Sequence, residues 1–141
     1  MSEYTDFRER VYRSLPRSNL EFVSADVSKS ISNEFPGLPI DYSEFLTKVG
    51  FGTFGEMGFT IYGGPLDADE IFDKTTASSL SNYIFIGDDY SGWMLAYDKS
   101  VQPHELVFFN HSELVPFEKG KEPKTIQEFL VNELFPEISR L

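Results

Sequence analysis

The fold is decided by residues 83 to 110, YIFIGDDYSGWMLAYDKSVQPHELVFFN. Three apolar runs, Tyr83 to Ile86, Trp93 to Tyr97 and Glu105 to Phe109, stand between the turn signals Gly87-Asp88-Asp89, Gly92, Asp98 and Asn110. Short runs rich in aromatic and branched side chains, bounded by Gly, Asp and Asn, predict strands. The runs YIFI, WMLAY and LVFF offer apolar side chains to both faces. A sheet with one wet face would alternate, so this sheet is expected to be covered on both sides or to curl around its contents.

Before this stretch, Phe59 to Tyr62 reads as another strand. Asp67 to Phe72 reads as a short helical turn, with Glu70 three residues past a capping Asp67. Residues 73 to 82, DKTTASSLSN, read as loop. Three helices are expected upstream. Tyr4, Phe7 and Val11 form a stripe over residues 3 to 13, ending before Pro16. Ser24 caps a second helix whose face carries Val27, Ile31 and Phe35, stopping at Pro36-Gly37. In the third, Leu38-Pro39 leads in, Asp41 sits in the first turn, Tyr42, Phe45, Leu46 and Val49 repeat at helical spacing, and Gly50 ends the helix. At the other end, Leu114 to Phe117 reads as a short strand. Thr125 and Glu128 form a capping box for a closing helix with Ile126, Phe129, Leu130 and Leu134, before Pro136. Helices, then a strand meander, then a helix, without βαβ alternation or repeats, specify an α+β fold: a mostly antiparallel sheet flanked by N-terminal helices and a C-terminal helix.

The 141 residues, at 16.1 kDa, suit a single domain over 1–141. Fourteen Phe and seven Tyr are too much apolar material for a disordered chain. The net charge of −11 excludes a nucleic-acid binder, which needs basic side chains for phosphates, and disfavours an anionic membrane surface. Residues 1 to 20 carry four Arg against three acids, so the remainder holds the whole negative excess. No cysteine is present, which removes disulfides, thiolate metal sites and cysteine nucleophiles. The first thirty residues hold no apolar run of seven, so neither a secretory signal nor a membrane span is expected, and the expected compartment is the cytoplasm.

Several chemistries can be tested on spacing. Gly50-Phe51-Gly52-Thr53-Phe54-Gly55 matches G-x-G-x-x-G, but a helix precedes it and a strand follows. No helix N-terminus then faces a phosphate, and the segment reads as a helix end leading into a strand. His104 and His111 lie in no catalytic or zinc motif and read as solvated turn histidines. Asp67, Asp69, Glu70 and Asp73 do not meet a calcium-loop count, so no metal is expected, and no cofactor is implied. Asp88 and Asp89 are adjacent, which disfavours their facing one another across a glycosidic bond. With Tyr90 and the only Trp, Trp93, they instead make an acidic, aromatic corner of the kind that serves as a hot spot for a basic partner.

The motif Leu38-Pro39-Ile40-Asp41-Tyr42-Ser43-Glu44-Phe45-Leu46, with Gly50, resembles the signature of the SUKH superfamily. These are the cell-wall-synthesis-regulator-like domains, many of them bacterial immunity proteins. Ile84 to Asp89, then Gly92 to Asp98 including Trp93 and Asp98, is similar to the family's central strand pair, and Leu106 to Phe108 with Thr125 to Leu134 is similar to its last strand and helix. The resemblance covers about residues 24–135. It implies an α+β domain without catalytic activity that binds and neutralises a cognate polymorphic toxin, often a nuclease. Charge complementarity to a basic toxin selects Glu56, Asp67, Asp69, Glu70, Asp88, Asp89 and Tyr90 as candidate contacts. Two other readings remain: a small hydrolase using Asp88 and Asp89, and a regulatory scaffold or small-ligand binder with Phe51, Phe54 and Phe59 lining a pocket around glycines 50 to 58.

Overall fold

The computed structural model describes residues 3–56, 58–100, 104–110, 115–116 and 125–140. His111 and the ends of the expected strand 114–117 lie outside them. The chain order is α1 (Glu3–Ser14), β1 (Asn19–Glu21), α2 (Ala25–Glu34), α3 (Ile40–Lys48), β2 (Phe51–Phe54) and β3 (Phe59–Asp67), followed by a 3₁₀ turn (Ala68–Glu70). Then come α4 (Lys74–Ser79), β4 (Tyr83–Asp88), β5 (Trp93–Asp98), β6 (Glu105–Asn110), β7 (Val115–Pro116) and α5 (Ile126–Phe129). A π turn (Leu130–Leu134) and a 3₁₀ turn (Pro136–Arg140) extend the last helix. The described strands form one seven-stranded sheet in sequence order, every neighbour antiparallel. The expected α+β class holds.

Both faces of the sheet are covered, as the unbroken apolar runs require. On one face Phe54, Phe59, Ile61, Ile86, Leu95, Tyr97, Leu106 and Phe108 meet Tyr4, Phe7 and Val11 of α1, Phe45 and Leu46 of α3 and Phe129 of α5. On the other, Phe85, Met94, Ala96 and Phe109 pack with Ala68, Ala77 and Leu80. This second, thinner layer is where sequence and structure part: residues 74–79, expected as loop, form α4. Its stripe is one buried Ala77, too little to register as a helical period, and the helix is set by Asp73, whose carboxylate accepts the Thr76 N–H at 2.8 Å.

Three further corrections have local causes. The inward residue of α2 is Ser28, whose hydroxyl meets that of Ser43 on α3 at 2.5 Å, while Val27 remains 49% exposed. A hydrogen bond at the helix crossing rotates the expected face by about one residue. Second, His104 is buried, and its backbone N–H donates to the Gly37 carbonyl at 3.2 Å, so it is not a solvated turn histidine. Third, the segment after α3 ends the helix and leads into a strand as expected, but that strand lies within the segment itself, with Gly52 inside it. Gly50 ends α3 at φ +111°, and β2 then inserts between β1 and β3. No phosphate loop forms, and Phe54 and Phe59, expected to line a pocket, are fully buried in the core.

The L-P-x-D-Y residues have structural work. Pro39 precedes the first turn of α3, and Tyr42, Phe45, Leu46 and Val49 are buried. Asp41 joins three helices: it accepts the Tyr4 phenol of α1 on one oxygen and the Ile126 N–H of α5 on the other, the latter at 3.0 Å. Arg8 donates to the Val49 carbonyl and covers the Phe22 ring at 4.0 Å. Asp41→Ala leaves two part-buried donors without that acceptor and is expected to cost about 2–3 kcal/mol by urea unfolding. Burial raises the Asp41 carboxyl above its ordinary value, against the bonds from Tyr4 and Ile126. The folded state therefore holds this proton more tightly than the unfolded chain, so ionising Asp41 costs stability as pH rises from the ordinary carboxylate value of about 3.9. Urea midpoints of wild type relative to Asp41→Asn are expected to fall as pH rises from 4 towards neutrality.

Candidate functional site

Strand pairing divides the seven candidate contacts into two groups. Thr60 pairs with Asp88, and Phe54 with Phe59, so the β2–β3 turn carrying Glu56 and the β4–β5 turn carrying Asp89 and Tyr90 share one end of the sheet. Asp67 pairs with Ile84 and Tyr83 with Asp98, which places Asp67, Asp69 and Glu70 at the other end. Seven residues of β3 separate the two, roughly 20–25 Å at strand rise.

The β4–β5 turn is built by its own acids. Asp88 accepts the Tyr90 N–H at 2.8 Å and, on its other oxygen, the Tyr62 phenol. Asp89 accepts the Ser91 N–H at 2.9 Å, the Ser91 hydroxyl at 2.8 Å and the Trp93 N–H at 3.2 Å. These Asx bonds hold Tyr90 at φ +70°, the only non-glycine residue in the left-handed region among those described. The residue is 55% exposed, and its hydroxyl is joined to that of Thr60 on β3. Burial, then Asp88, raise the pKa of Tyr62, so its phenol stays a neutral donor at neutral pH. Trp93 is half-buried and stacks on Phe108 at 5.2 Å. Glu56, exposed, pairs with Arg17 at 3.3 Å. The corner therefore presents one locked aromatic ring beside two carboxylates, Asp88 engaged on both oxygens and Asp89 on one.

At the far end the capping box is present as expected: the Asp67 N–H donates to Glu70 at 2.8 Å. Asp98, the last motif residue, closes its own turn by accepting the Ser100 N–H at 2.9 Å. Beside the 3₁₀ turn and α4 lies a cleft lined in part by Asp67, Asp69, Phe72, Lys74 and Lys99. Sequence reading missed Phe72, Lys74 and Lys99 because their meeting needs the β5 end to return to the β3 end. It also missed Thr60 and Tyr62, although alternation in β3, with Phe59 and Ile61 inward, was a readable signal that they share the opposite face. Among the described residues no group of three or more His, Asp or Glu is placed to hold a metal ion, and no helix is long and apolar enough to cross a membrane. Comparison with protein-family models, with curated proteins and with solved structures found no match to this chain.

Proposed function

We propose that this chain is a SUKH-like, non-catalytic protein-binding domain that neutralises a basic toxin, such as a nuclease, in the cytoplasm. The observation that carries the reading is Tyr90. A non-glycine residue at positive φ costs on the order of 1 kcal/mol, and such strain is retained where the surroundings enforce it, often at functional sites. Here the carboxylates of Asp88 and Asp89 enforce it, and the result is an exposed, preorganised ring in a negative field. Preorganised aromatics lose little entropy on binding and dominate interface energetics. The −11 charge supports fast, steered association with a basic partner. The engagement of both Asp88 oxygens, by the Tyr90 N–H and the Tyr62 phenol, and of one Asp89 oxygen by three turn donors supports a structural role for them over hydrolysis.

The test screens the purified chain against basic nuclease toxin domains, those encoded near its gene first, and failure to bind any of them counts against the reading. Tyr90→Ala is expected to weaken binding by about 2 kcal/mol, roughly thirtyfold, with stability changed by no more than about 0.5 kcal/mol. Association should slow at least about tenfold between low salt and about 0.5 M salt. A salt-independent rate, or an unchanged Kd for the variant, would overturn the reading.

A further inference from the structure

The cleft at the far end of the sheet has the make-up of a small-molecule site of its own, separate from the Tyr90 corner. Its volume of about 570 Å³ lies within the roughly 300–1,000 Å³ of ligand pockets. It exists because the layer over this face is thin: α4 is six residues long and turns only Ala77 inward, next to Ala68 of the 3₁₀ turn. The apolar wall is fixed, since the Phe72 ring packs edge-on against Phe85 at 5.4 Å. Charges of both signs stand around that wall. Asp67 and Lys99 lie 4.0 Å apart and answer one another. Asp69 and Lys74 enter no ion pair among the described residues, and both line the cleft.

One anion and one cation, each outside any ion pair among the described residues, and an aromatic wall set the chemistry of the ligand. A simple anion would meet the field of a chain carrying −11, and a simple cation would leave Lys74 unanswered. A molecule with both charges and an apolar group satisfies all three features. We propose that this cleft binds a small zwitterion of the α-amino acid or dipeptide class, with its ammonium at Asp69, its carboxylate at Lys74 and its side chain against Phe72.

The test is amide-shift titration of the whole chain with L-phenylalanine and with L-alanyl-L-phenylalanine, alongside N-acetyl-L-phenylalanine and L-phenylalaninamide, each lacking one charge. The expected result is a saturating shift at residues 67–80 and 98–99 with one or both zwitterions, the tighter of the two fixing ligand length. Each blocked compound should bind at least about tenfold more weakly. Asp69→Asn and Lys74→Gln, both exposed, should each lose about tenfold in affinity while the urea midpoint stays in place. No saturation by about 10 mM, equal binding of the blocked compounds, or variants that bind as wild type would each overturn the proposal.

Discussion

Gly52→Ala is expected to be among the most damaging single-methyl changes in this protein, costing about 3–5 kcal/mol in urea unfolding. Gly52 sits at φ +132°, where an L side chain is strained. A Cβ there would also fall inside the contact distance of the Asn19 backbone carbonyl, which cannot rotate away as a side chain would. The neighbouring Gly50 is under the same pressure: at φ +111°, its Cβ would lie 2.5 Å from the Glu21 carbonyl oxygen. The two glycines are what allow β1 to lie against β2. Gly64→Ala is the control. Its Cβ would meet only the Ile31 side chain, at 3.7 Å, and the change should stay within about 0.5 kcal/mol of wild type. Equal midpoints for Gly52→Ala and Gly64→Ala would refute this account of β1.

Phe129→Ala is expected to cost a similar 3–5 kcal/mol, by a different route. Phe129 is fully buried, with its ring centre 4.7 Å from Phe108 and 5.4 Å from Phe59. Truncation removes the ring that ties α5 to two strands and leaves a cavity between layers that cannot collapse without moving the sheet. Hydrogen exchange should show α5 opening first, because its remaining hydrogen bonds at the N-terminus are the Thr125 cap, accepting the Glu128 N–H at 3.1 Å, the Asp41 bond to Ile126 and the Gln127 N–H to the Tyr4 hydroxyl at 3.4 Å. A loss below about 1 kcal/mol would mean that α5 contributes little to the core.

The parts of the fold that were legible in the sequence are those with a repeated apolar signal. Tyr4, Phe7 and Val11 marked α1, Tyr42 to Val49 marked α3, and the runs from Tyr83 to Phe109 marked three strands lying within two residues of their observed limits. Illegible parts depend on contacts made at a distance. β1 is only Asn19, Leu20 and Glu21, and becomes a strand because Gly50 and Gly52 admit it. α4 has one buried Ala and a cap, and Ser28 faces inward because Ser43 waits on another helix. The candidate site was legible as chemistry and illegible as geography. Glu56, Asp88, Asp89 and Tyr90 gather at one end of the sheet while Asp67, Asp69 and Glu70 gather at the other, a division that follows from pairing register and from no property of the acids themselves.

The sequential order of the sheet has a last consequence, for colloidal behaviour. An open sheet exposes two rims of unpaired peptide groups, each a template on which another chain can extend a fibril. In this protein the rim strands are the two shortest of the described sheet: β1 has three residues, and β7 is Val115–Pro116, whose proline has no N–H to donate. Of the long aromatic strands, β4 and β5 are paired on both sides, and β6 pairs along its length with β5 and at Phe109 and Asn110 with β7. The segments with the strongest tendency to self-assemble thus lie inside the sheet, and its rims are left to the strands with the least.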